Sequence, residues 1–242
     1  MVITSMDNPA YRRDLGGGLV LRWSTAADIA GLGQLYSFVF RDKPEDPPNH
    51  SIHVWTQDLM SGRHPLINAG DFAVVENTDA PSTGSGVAGA IVAATCLIRQ
   101  TWEYDGIAFP VGRPEIVATM PDFRNRGLIR SIFELIHARS AAEGQLAQGI
   151  TGISYYYRQF GYEYALDLGG RRSVYLAAIP KLKSGASEPY ALRDATSEDV
   201  PQVMGLYDRE RARGPVSAQL DADYWRWVLE GQTLLRARAG AP

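Results

Sequence analysis

Apolar and polar positions alternate over LVLRW at 19–23, the period of a strand with one face buried. The period then lengthens: Ser24, Thr25 and Asp28 offer capping chemistry, and Ile29, Leu32, Leu35 and Tyr36 recur at helical spacing. RDKPEDPPN at 41–49 holds too many prolines to stay helical, and a second helix is predicted over 51–60, with Ile52, Trp55 and Leu59 on one face. FAVVE at 72–76 reads as a strand, NTDAPSTGSG as a loop, and 87–104 as a long strand rich in β-branched and aromatic residues. Asp105-Gly106 predicts a hairpin turn into a strand over EIVATM at 115–120. A helix follows from Gly127 toward a stop at Gly144, because Leu128, Ile129, Ile132, Phe133, Leu135 and Ile136 form one apolar stripe. LAQGIT at 146–151 predicts a short strand, and 154–168 a brief helix that yields to a strand at Gly161. A last strand is expected to end near Ile179, before Pro180.

Beyond a linker at 181–189 the pattern recurs. LRWSTAADIAGLGQLY from Leu21 aligns without gaps on LRDATSEDVPQVMGLY from Leu192, with Leu21/Leu192, Arg22/Arg193, Thr25/Thr196, Asp28/Asp199, Leu35/Leu206 and Tyr36/Tyr207 identical. Repetition on this scale predicts a second copy of one unit. Two unrelated β-α openings with common capping chemistry are the plainer alternative. The boundaries that follow are a flexible leader at 1–18, a first domain at 19–180, the linker, and a partial second domain at 190–242, the remnant or truncated start of a repeat.

Composition changes the picture little. The 242 residues carry 24 basic and 27 acidic side chains, a net charge of −3, and 45% are hydrophobic, which excludes collagenous, coiled-coil or largely disordered chains. A single cysteine, Cys96, permits no internal disulfide, so a reducing, cytoplasmic setting is expected. Apolar runs stop short of the roughly 20 residues that a membrane span needs, so no membrane partner is expected. His50, His53, His64 and His137 show no metal-ligand spacing, and no metal site is predicted. Neither a phosphate-binding Gly-x-x-x-x-Gly-Lys loop nor a Gly-x-Ser-x-Gly elbow occurs. Cys96 reads as a buried filler.

RNRGLIR at 124–130 carries the chemistry. A helix opening at Gly127 presents free backbone N–H groups and a positive dipole end, and Arg124, Arg126 and Arg130 surround it. Cations at a positive helix end are locally unfavourable, and a bound pyrophosphate would reverse that sign. Arginines that merely face solvent are the bland alternative.

Arg124-x-x-Gly127-x-Ile129, between the strand EIVATM and an amphipathic helix, resembles the acyl-CoA pyrophosphate motif Gln/Arg-x-x-Gly-x-Gly/Ala of the GNAT N-acetyltransferases. Ile129 departs from the small last residue and is nearer to the Arg-Arg-Gly-Leu-Leu-Arg form of the enhanced intracellular survival (Eis-like) branch. YYYRQFGYEYA at 155–165 is similar to that branch's Tyr-x-x-Phe-Gly-Tyr segment. The resemblance implies an α/β (α+β) GNAT fold: a mixed, mostly antiparallel sheet with splayed strands flanked by helices, followed by the start of a second GNAT-like domain. It implies acetyl-CoA as cofactor, with the backbone of Val117, Ala118 and Thr119 along the pantetheine and Arg124, Asn125, Arg126, Gly127, Leu128, Ile129 and Arg130 around the pyrophosphate. Thr151 and Gly152 would line the other side of the splay. Tyr157 falls on the family's general acid, with aromatic packing as its plain alternative; Glu115 is a candidate base or a solvated strand residue.

The activity implied is transfer of an acetyl group to a primary amine, on a small molecule or a protein lysine. A non-catalytic acyl-CoA-binding module is the runner-up, and a homo-oligomer stays open. One short basic cluster on an acidic chain argues against nucleic acid as a partner.

Overall fold

Seven strands make one sheet in the computed structural model, which describes residues 5–79, 90–167, 173–183 and 185–234. They are β1 (Arg12–Gly16), β2 (Leu19–Trp23), β3 (Phe72–Asn77), β4 (Ala90–Tyr104), β5 (Ile107–Thr119), β6 (Ala147–Gln148) and β7 (Val216–Gln219). The order is β1-β2-β3-β4-β5-β6, antiparallel except for the parallel β5/β6 pair, and β7 joins the far end of β4. The mixed, mostly antiparallel α/β fold read from the sequence is the fold observed.

Alternation along β3 fixes the layers. Ala73 and Val75 join Leu21, Ala93 and Leu97 beneath α3 (Leu128–Ala142), which contributes Ile132, Leu135 and Ile136. Phe72 and Val74 face the opposite way, onto Leu32, Leu35 and Tyr36 of α1 (Ile29–Val39) and Leu59 of α2 (His50–Met60). Each large aliphatic side chain buried here contributes about 1.5–3 kcal/mol, so both faces of the sheet are committed. Cys96 is buried in the second layer.

A polar knot ties β2 to these layers. The Arg22 guanidinium donates to both carboxylate oxygens of Asp28 (2.8 and 2.7 Å) and to Glu76 of β3 (2.7 Å), all three side chains being buried. Asp28 also accepts from the Thr25 amide, closing the predicted capping box ahead of α1.

The same local geometry recurs at the aligned segment from Leu192. Arg193 donates to both oxygens of Asp199 (2.7 and 2.6 Å), and the Thr196 amide donates to Asp199 before α4 (Val200–Arg211). The surroundings differ. The Arg193 side chain is 68% exposed against 6% for Arg22, and Leu192 is fully exposed where Leu21 is buried.

Four expectations need correction. Part of the leader is folded: β1 pairs with β2, Trp23 Nε1 donates to the Met6 carbonyl, and Arg139 donates to that of Asp7. Its pattern RRDLG hides this, because an edge strand exposed on one side needs little apolar character. The strand over 146–151 shrinks to Ala147–Gln148. No strand follows Gly161 among the described residues as far as 167, and a 3₁₀ turn, Leu176–Ala178, stands where the last strand was expected to end.

Candidate active site

The site starts where the sheet comes apart. Val111 and Gly112 pair with Ala147 and Gln148, the Gly149 N–H reaches the Gly112 carbonyl at 3.0 Å, and no later rung joins the two segments among the described residues. On its other edge β5 bulges: Glu115 opposes Cys96 and Ala118 opposes Ala94, so Ile116 and Val117 share one partner, Thr95. Ile116 takes φ +49°, a backbone that a β-branched residue adopts only under constraint. The Thr95 hydroxyl holds the displaced Glu115 carbonyl at 2.7 Å.

A cleft of about 740 Å³ fills the resulting wedge. Its floor is Val117, Ala118 and Thr119; one wall is the Arg124–Arg130 turn, and the other is Ile153, Tyr156, Tyr157, Gln159 and Phe160. Gly127 at the N-cap of α3 has φ +75° and Asn125 φ +61°, which together fold the chain into a tight bend. No side chain caps the helix, and its first turn carries no acid. Arg124 and Arg130 line the cleft and no carboxylate does. The Thr119 hydroxyl is buried there without a partner. An uncapped helix start with cations beside it and no carboxylate in the cleft can hold an anion.

Ten of the eleven cofactor and acid positions read near this turn and floor therefore meet in one place: Val117, Ala118, Thr119, Arg124, Asn125, Gly127, Leu128, Ile129 and Arg130, with Tyr157 opposite. Arg126 does not join them. It donates to the Asp122 carbonyl (2.8 Å) and lies over the Phe123 ring. Thr151 and Gly152 do not line the cleft either. Gly152 instead makes room, since a Cβ there would stand 2.6 Å from the Tyr157 ring. Gly152→Ala is expected to push the phenol out of its seat, lowering turnover while leaving coenzyme affinity, measured by calorimetry, near that of the unaltered protein.

Tyr157 is half-buried, with its ring against Phe133 and Tyr156. Burial, then the neighbouring Tyr156 and Glu115, raises its phenol to about 12, so it keeps its proton through the neutral range. Glu115 lies outside the lining. Burial lifts its carboxyl above the ordinary range, and the ion pair with Arg113 partly offsets that. Val39 and Phe40, at the end of α1, also line the cleft and were not anticipated. They sit about eighty residues from β5 in sequence, and only the packing of α1 on the sheet brings them near.

The family described as "Acetyltransferase (GNAT) domain" matches residues 21–165, more than half of the chain. No curated protein matches. Among solved structures, Saccharomyces cerevisiae N-myristoyltransferase with bound myristoyl-CoA has a TM-score of 0.58 at 15% identity, covering 89% of this chain and 51% of its own. A GCN5-related N-acetyltransferase from Kribbella flavida gives 0.55 at 18%, covering 88% and 49%. A probable N-acyltransferase from Enterococcus faecalis V583 gives 0.45 at 16%, covering 60% of this chain and 32% of that one. The chain thus spans about half or less of these three proteins, and at such identities the first two speak for the fold alone. The splayed sheet, the uncapped helix after the bulge and the family match over 21–165 agree: this chain belongs to the GNAT acetyltransferase family.

Proposed function

We propose that the chain is an acetyl-CoA-dependent N-acetyltransferase that passes an acetyl group directly to a primary amine, on a small molecule or a lysine. One observation carries this reading: an uncapped helix start with two arginines and no carboxylate shares its cleft with a half-buried phenol. The residues present fit the coenzyme. The free amides at 127–130 with Arg124 and Arg130 would hold the diphosphate, the unpartnered Thr119 hydroxyl would donate to it or to the pantetheine, and the unpaired edge at 117–119 would align the arm. Acetyl-CoA supplies the activated thioester.

The chain's own part is then proton management. Tyr157 delivers its phenolic proton to the departing sulfur, and the burial that lifts the phenol to about 12 lifts a thiolate expelled into the same cleft as well. Glu115, desolvated on the floor strand beneath the wedge, takes the amine's proton through water, outside the lining itself. We further place the chain near the Eis-like branch, with residues 190–242 a partial second copy. The RNRGLIR and YYYRQFGY segments and the recurring Arg-Thr-Asp cap support that placement.

Calorimetry with CoA and a thiol-release assay with acetyl-CoA and polyamines test the proposal. Gly127→Val strains a left-handed backbone position and is expected to weaken CoA binding tenfold or more. Unchanged affinity would remove the cradle from the account, and tight CoA binding without thiol release for any amine would favour the non-catalytic module.

A further inference from the structure

Between the last rung at Gly149 and Tyr162 the described backbone hydrogen bonds are local: Tyr156 to Ile153, Gly161 to Arg158, and Tyr162 to Tyr157. Local turns shape the segment without fixing it to the domain. Among the described residues, ring contacts of Phe133 with Phe160 (4.6 Å, 5°) and with Tyr157 (5.9 Å), Arg130 over the Phe160 ring and the Arg130–Gln159 hydrogen bond help, but rings in contact slide and surface pairs are weak. Part-buried directional anchoring is supplied by the Tyr162 hydroxyl. The Tyr162 hydroxyl donates to Gln148 Oε1 of β6 and lies 3.2 Å from His137 Nε2 of α3. A phenol has one proton, so with Gln148 as acceptor it is His137 Nε2 that donates. Tyr162 also touches Tyr157 twice, through its amide to the Tyr157 carbonyl (3.3 Å) and ring to ring (6.2 Å, 75°).

We propose that Tyr162 is a positioning residue: hydrogen-bonded to α3 through His137 and to β6 through Gln148, it holds the 155–162 turn so that the Tyr157 hydroxyl stays in the cleft. The inference rests on the reading of Tyr157 as proton donor. Its geometry is independent of which amine is acetylated. Misplacement of a reacting group by about 1 Å can cost on the order of a hundredfold in rate, which sets the scale expected.

Tyr162→Phe keeps the ring cluster and removes both hydrogen bonds. In the full chain it is expected to lower kcat for thiol release tenfold or more, with the KM for acetyl-CoA within twofold. Adding it to Tyr157→Phe is expected to cost nothing further, because the two act through one proton. Equal losses in both backgrounds, or a loss carried by KM, would mean a general structural role and overturn the proposal. Fluorotyrosine placed at 157 gives a readout without turnover: its fluorine resonance should be single and shifted in the parent, and should move toward the free amino acid in Tyr162→Phe. An unmoved resonance overturns the positioning role even if the acetyltransferase reading stands. A Tyr157→Phe protein with full activity sinks the proton-donor reading, while the resonance still decides the seat.

Discussion

Tyr157→Phe should lower the rate of thiol release from acetyl-CoA by a factor of about 10²–10⁴, the usual range for a positioned general acid. Its ring contacts with Phe133 and Tyr156 survive the change, so CoA affinity and thermal unfolding should stay close to the parent. Removal of one oxygen, with the aromatic packing intact, separates the two readings of this residue. If the tyrosine served packing alone, the phenylalanine would be neutral in every assay. Because burial holds the phenol to about 12, the parent should also show no alkaline loss assignable to this group below about pH 11. A falling limb between pH 8 and 10 that vanishes in Tyr157→Phe would contradict that placement.

The second large effect concerns stability and takes the matching cap at Arg193 and Asp199 as its control. Asp28→Ala strips the buried Arg22 of its bidentate partner and leaves Glu76 as the remaining carboxylate. Breaking a buried pair from one side costs about 3–5 kcal/mol, a large share of the roughly 5–15 kcal/mol that holds a domain together. The matched change, Asp199→Ala, removes the same hydrogen bonds at an exposed position and should leave the main thermal transition where it was. The first pair also has a pH signature. Burial works to raise the Asp28 carboxyl, but the Arg22 hydrogen bonds and the Thr25 amide outweigh it, so the group sits below its ordinary value. A lowered carboxylate contributes stability that is complete above the ordinary value near 4 and is lost as pH falls through the depressed one. Acid unfolding of Asp28→Ala should therefore be shallower than that of the parent. Equal sensitivity of the two caps to alanine would show that burial does not govern these ion pairs.

Much of the fold was legible because its signals are local. The Thr25–Asp28 capping box, the stripe from Leu128 to Ile136 and the Asp105-Gly106 hairpin each specify structure within a few residues. The turn at 124–130 was readable for the same reason, as an uncapped helix start with an obligatory glycine. What escaped depends on register and distance. β1 is an edge strand whose pairing with β2 leaves no apolar imprint, and nothing in Arg113 foretold that it would engage Glu115. Arg126 differs from Arg124 in turning back to the Asp122 carbonyl, a contact that spacing along the chain does not record. Gly152 was read as a cofactor contact although its small size serves Tyr157, because sequence records that a side chain is missing without recording what occupies the space. The expected strands after Gly161 rested on aromatic and β-branched content, which a run of residues with exposed side chains shares with a strand.

The overhang of β4 has a colloidal consequence. β3 covers this strand only as far as Cys96, and Thr101–Tyr104 would otherwise offer a row of bare amides and carbonyls to any passing chain. β7 occupies that row, and Arg211 clasps Glu103 beside it. The four-residue strand after α4 thus closes this stretch of β4 and leaves only its own short edge, a poorer template for pairing with another chain than the long hairpin would be.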